Sequence, residues 1–75
     1  MKQKILYDYS KLNGKIVEKY KTKGNFAAAL GMTPQSLSRK FHGTSPWTQP
    51  EMVKAMELLG EPIENIRVIF FAPQV

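Results

Sequence analysis

TKGNFAAALGMTPQSLSRKFHG, residues 22 to 43, reads as two short helices joined by a tight turn. Thr22 is an N-cap, since its hydroxyl can accept from an orphan backbone N–H of a first turn made by Lys23, Gly24 and Asn25. Phe26, Ala27 and Leu30 then give one apolar face. The alanines at 27, 28 and 29 keep the helix thin enough to pack closely. Gly31 stands where a helix commonly ends in a left-handed residue. Only Met32 separates it from Thr33, a second N-cap, and Pro34 occupies the first helical position, where its missing N–H costs nothing. The second helix therefore starts at once, at a steep angle to the first, and Gly43 closes it. Leu37 and Phe41 lie four apart and face inward, leaving Gln35, Ser36, Ser38, Arg39 and His42 on the other surfaces.

An exposed helix of this width fits the major groove of B-DNA, and its outward residues are of the types that read base edges. Arg39 can fork onto guanine, Gln35 can pair with adenine, and Ser38 is a short donor or acceptor. Gln35 and Arg39 are four apart, so both point into the groove together. An ordinary helical hairpin with a solvated polar face has the same residue types, so the spacing alone leaves both readings open.

The same residues carry a resemblance. Ala27 at the fifth position of the first helix, Gly31 at the turn and Leu37 inside the second helix match the pattern of the lambda-repressor and Cro superfamily of helix-turn-helix proteins. The segments YDYSKLNGKIVEKY (7 to 20), WTQPEMVKAMELLG (47 to 60) and ENIRVIFF (64 to 71) extend the likeness. They are similar to a group of small prophage regulators of Gram-positive bacteria, over nearly the whole chain. The resemblance implies an all-α, five-helix DNA-binding domain, base contacts at Gln35, Ser38 and Arg39, and phosphate contacts at Lys23 and along the segment from His42 to Ser45. Pro34 departs from the glutamine that many relatives carry there, so the resemblance does not imply the family's base contact at that position.

The rest of the chain fits a single domain over residues 1 to 75. Seventy-five residues are near the lower limit for one self-sufficient core. The absence of cysteine excludes disulfides and thiolate metal sites, and a single histidine cannot build a zinc site alone. No metal or cofactor is expected. With no cysteine, no second histidine, no glycine-rich phosphate loop and no enclosed pair of carboxylates, an enzyme is not expected either, nor a small-molecule substrate. No apolar run approaches a membrane span and no signal-peptide pattern is present, so the implied location is the cytoplasm.

Charge is unevenly distributed. Residues 1 to 43 hold nine Lys or Arg against Asp8 and Glu18, a net of +7, whereas residues 44 to 75 have a net of −2. Such asymmetry suits a polyanion on one side and a different task on the other. Lys11, Lys15 and Lys19 form a four-residue stripe on a first helix that begins near Ser10 and turns Leu12, Ile16, Val17 and Tyr20 inward. Lys21 and Lys23 bracket the next helix N-terminus, where free N–H groups also attract anions. Lys23, Lys40, His42 and Thr44 are the candidate phosphate-binding residues.

Lys2 to Tyr9 alternates imperfectly, as a short extended arm or terminal strand would. Thr48 and Glu51 have the spacing of a capping box, and the helix they open turns Met52, Val53, Met56 and Leu59 inward before Gly60 ends it. Ile63, Ile66 and Phe70 have helical spacing, while Val68 to Phe71 would also suit a strand. A short helix to about residue 69 and then an extended tail is the expectation. That tail carries more apolar surface than it needs. Val68, Phe70 and Phe71 are thus the expected dimer surface.

These observations point to a transcriptional regulator of repressor or Cro type that binds palindromic double-stranded operators as a homodimer. The rival is an anti-repressor-like interaction module that keeps the fold and holds another protein.

Overall fold

A computed structural model describes residues 7–72 of the 75. It contains five helices among the described residues: α1 (Ser10–Tyr20), α2 (Lys23–Leu30), α3 (Pro34–His42), α4 (Gln49–Leu59) and α5 (Ile66–Phe70), with a 3-10 turn at Ile63–Asn65 leading into α5. The domain is all-α, as the sequence implies. No helix among the described residues is long and apolar enough to cross a membrane. The expected terminal strand lies mostly outside the described residues. Its visible end is a single bridge at Tyr7, beside the Asp8 N–H that donates to the Ala72 carbonyl at 2.7 Å.

Local signals set the helix ends. Thr22, Thr33 and Thr48 each accept a hydrogen bond from the backbone N–H three residues on, and at Thr48 the Glu51 carboxylate reciprocates, completing the capping box. Gly31, Gly43 and Gly60 all end their helices with positive φ, at +82°, +82° and +69°. Each such position would cost a non-glycine residue about 1–2 kcal/mol. The α1–α2 junction is different. Lys21 has φ +74° and ψ −48°, and the Thr22 N–H donates across it to the Tyr20 carbonyl at 2.8 Å. This is a γ-turn of the rarer, positive-φ kind. The Asn25 side-chain amide donates to the same Tyr20 carbonyl at 2.9 Å and braces the turn.

The core is built by Leu12 and Ile16 from α1, Phe26, Ala27 and Leu30 from α2, Leu37 from α3, Ala55, Met56 and Leu59 from α4, and Ile69 and Phe70 from α5. Burial of each large member contributes roughly 1.5–3 kcal/mol. Helix α2 is central, packing on α1, α3 and α4, while α5 closes the far side against α1 and α4. Ala27 is fully buried, which leaves no room for a longer side chain there.

Two expected core residues face outward instead. Val17 is 49 % exposed and Val53 is 44 % exposed, while Ala55 is fully buried. On α4 the inner stripe is Met52, Ala55, Met56 and Leu59, a run at i, i+3, i+4 and i+7 that excludes residue 53. At its far end α4 is capped by α1. The Tyr20 hydroxyl donates to the Leu58 carbonyl at 3.3 Å and the Lys19 ammonium to the Leu59 carbonyl at 3.5 Å. Lys15 pairs with Glu61 at 2.8 Å, an ion pair that raises the Lys15 pKa and lowers that of Glu61. The α1 lysine stripe is thus largely turned toward the α4–α5 connection.

Candidate nucleic-acid interface

Helix α3 presents its polar residues on the side away from the core. Its inward stripe consists of Leu37, fully buried, Lys40 and the half-buried Phe41; Gln35, Ser38, Arg39 and His42 are exposed. The three candidate base-reading residues therefore share an accessible surface. Thr33 Oγ1 accepts from the Ser36 N–H at 3.1 Å and donates to Ser36 Oγ at 3.1 Å. Arg39 Nη2 in turn donates to Ser36 Oγ at 3.4 Å. The guanidinium is lightly steered along the helix and keeps its remaining donors free, as a fork onto a base edge requires.

The chain has no Asp or Glu between Glu18 and Glu51, but five Lys or Arg. These five do not all reach the α3 surface. Lys19 is turned to the end of α4 and Lys40 is buried, which leaves Lys21, Lys23 and Arg39 as exposed cations with no ion pair among the described residues. Lys23, in the first turn of α2, holds its ammonium 4.4 Å from the centroid of the Phe41 ring. A cation–π contact of this kind stations the charge between the start of α2 and the end of α3.

Lys40 is placed otherwise than a phosphate-binding residue. It is 7 % exposed, and its ammonium bonds Glu51 Oε1 at 2.8 Å and the Pro46 carbonyl at 2.9 Å. The same Glu51 oxygen accepts from the Thr48 N–H at 2.9 Å. Burial pushes the Glu51 carboxyl up, but the Lys40 ammonium and the Thr48 donors outweigh it and hold the group below the usual carboxylate range. The pair ties α3 to the start of α4. Its position was available in the sequence, since Leu37, Lys40 and Phe41 fall at i, i+3 and i+4.

The loop after α3 is also partly committed. The Thr44 N–H, the Thr44 hydroxyl and the Ser45 N–H all donate to the Arg39 carbonyl, at 3.0, 3.1 and 3.3 Å. This closes the C-terminal end of α3, so the Thr44 hydroxyl is available to an incoming phosphate only if it releases the helix. His42 is exposed at the same end. Of the expected phosphate partners, Lys23 and His42 stand open, Thr44 is engaged and Lys40 is withdrawn.

The expected dimer surface divides as well. Val68 is 47 % exposed and Phe71 is 41 % exposed, but Phe70 is 2 % exposed and packs against Trp47, ring centroids 4.9 Å apart. Phe70 is core, because Ile66, Ile69 and Phe70 form the inward side of α5. Trp47 lies between Phe70 and Phe41, the latter at 6.3 Å, and so joins α5 to α3.

Comparison with known proteins places this architecture. No curated protein matches the chain. Residues 5–73 match the family described as a protein of unknown function, DUF739. Among solved structures, the chain is similar to the solution structure of the modulator of repression (MOR) of the temperate bacteriophage TP901-1 from Lactococcus lactis. Identity is 40 % and the TM-score 0.78, covering 87 % of this chain and 88 % of that one. The chain therefore belongs to the DUF739 family and shares the small all-helical fold of a phage regulator.

Proposed function

We propose that this protein is a regulator of repression in a temperate-phage type of genetic switch, acting through the outward surface of α3 on double-stranded operator DNA. The observation that carries this reading is the joint exposure of Gln35, Ser38 and Arg39 on a helix whose Leu37 is fully buried. In this arrangement α3 enters the major groove. Arg39 forks onto guanine O6 and N7, Gln35 pairs with adenine, and Ser38 makes a shorter contact. Lys23 and His42 hold the flanking phosphates. A homodimer would set two such helices in successive major grooves, about 34 Å apart, on a palindromic site. Val68 and Phe71 are the exposed apolar residues available to join its subunits.

A second reading is favoured by the related phage protein, which is a modulator of repression. A modulator can work by holding the repressor protein instead of the operator, using the same cationic surface or the apolar C-terminal one.

Selection of sites from random DNA, followed by titration at two salt concentrations, separates the two. DNA reading predicts a palindrome preferred over random sequence by about 10³-fold or more and a steep loss of affinity with salt. Arg39→Ala should cost about 1–3 kcal/mol on the selected site and relax one base position. Lys23→Ala should weaken all sequences alike and lower the salt slope by about one. No sequence preference at any salt would overturn the DNA reading and leave the repressor-holding one.

A further inference from the structure

A lysine held by a carboxylate has its charge cancelled where it stands, whereas one held over an aromatic face is oriented with its charge intact. This protein does both. Lys15 and Lys40 are paired with Glu61 and Glu51, each at 2.8 Å. Lys23 is exposed, has no ion pair among the described residues, and stands 4.4 Å from the centroid of the Phe41 ring. That is well within the reach of a cation–π contact, about 6 Å.

The ring itself is fixed. Phe41 is half-buried on α3 and meets Tyr9 and Trp47 at steep interplanar angles, 65° and 68°, with centroids 5.6 and 6.3 Å away. These neighbours come from the residue before α1 and from the loop before α4, and together they hold its plane. Core packing needs only an apolar side chain at this position, and leucine would supply one. A ring adds a negatively polarised face, and that face carries Lys23. The two partners belong to different helices, Lys23 to α2 and Phe41 to α3. Their contact sets the Lys23 charge relative to the helix that bears Gln35, Ser38 and Arg39.

We infer that Phe41 is a positioning residue for DNA binding: its ring face stations the Lys23 ammonium for a phosphate flanking the α3 site and leaves it fully charged for that contact. The inference rests on the DNA reading above and adds to it a residue that touches no DNA. Ordering a long side chain in advance lowers the entropy lost on binding. The gain applies to every sequence alike, because a phosphate contact carries no base information.

The test uses the full chain, with the selected site and random DNA as probes. Fluorination of the Phe41 ring, with one and then three fluorines, drains the negative face while nearly keeping its shape. The trifluorinated chain should bind both DNAs about two- to fivefold more weakly, the worth of an exposed cation–π contact, with the monofluorinated chain in between. The order of preference among sequences should not change. In a Lys23→Ala background the same exchange should have no effect, since the ring then has no charge to hold. A merely structural role for the ring would give the same loss in both backgrounds. In the DNA-free protein, the Lys23 methylene protons beside the ammonium should resonate upfield, shielded by the ring, and Phe41→Leu should abolish that shift. The inference is overturned if the upfield shift is absent, if fluorination leaves the parent's DNA affinity unchanged, or if it weakens binding equally with and without Lys23. A parent chain that binds neither DNA defeats the DNA reading itself and this role with it, whereas the other three results defeat the role alone.

Discussion

Replacing Lys40 with methionine tests whether this lysine is a structural strut or a charge meant for DNA. Methionine is unbranched, with a side chain one atom shorter than that of lysine; it keeps an apolar stem but removes the ammonium. The lost interactions are the 2.8 Å bond to Glu51 Oε1 and the 2.9 Å bond to the Pro46 carbonyl. Removing one member of a fully buried ion pair costs about 3–5 kcal/mol. Here the side-chain exposures are 8 % for Lys40 and 29 % for Glu51, so the stranded carboxylate recovers part of its hydration and about 2 kcal/mol is the better figure. For a domain of this size that corresponds to a fall in Tm of about 8–16 °C. The pH dependence follows from Glu51, whose folded pKa lies below its ordinary 4.5. A depressed carboxylate contributes stability that is fully present above the unfolded pKa and is lost as pH falls through the folded one. The gap between parent and variant should therefore be widest near neutrality and shrink on acidification below about 4.5. Urea denaturation followed by Trp47 fluorescence at pH 7 and pH 3 measures both quantities. A gap under about 0.5 kcal/mol at pH 7, the scatter of ordinary surface substitutions, would refute the strut, as would an equal gap at both pH values.

The glycines give a pair of opposite sign. Gly31 has φ +82° with open space where a Cβ would stand, so Gly31→Ala should cost about 1–2 kcal/mol from backbone strain alone. Gly14, inside α1 with nothing within 4 Å of its Cβ position, should gain about 0.5–1 kcal/mol on replacement by alanine; thermal denaturation decides both. At the C-terminal end, Phe70→Ala should cost about 3–5 kcal/mol. Phe71→Ala should cost far less, and equal losses in urea denaturation would contradict the inward packing of α5.

Most of the fold was legible because its boundaries are local. The three threonine caps and three glycine stops act within four residues of themselves, and each helix they delimit forms where its own sequence places it. Facing was legible where large residues marked the inner stripe, as at Leu12, Ile16, Leu37 and Met56. It was misread at Val53, where a bulky side chain outweighed the correct period through Ala55. On α3, the exposure of Gln35, Ser38 and Arg39 was legible by the simple rule that they oppose Leu37. Lys40 was missed because its chemistry suggests solvent, and only the fold brings Glu51 and the Pro46 carbonyl to its ammonium. Phe70 was misassigned for the converse reason. Its helical spacing with Ile66 was visible, but nothing local indicated that Trp47 would arrive to cover it.

The γ-turn at Lys21 has a mechanical consequence. Because the chain reverses there in one residue, with Asn25 and Thr22 fastening both sides, the connection between α1 and α2 has no slack. The bearing of α3 on the rest of the molecule is inherited through that joint. An added residue there would swing α2 and α3 to a new heading relative to α1 while leaving the side chains on the outward face of α3 intact.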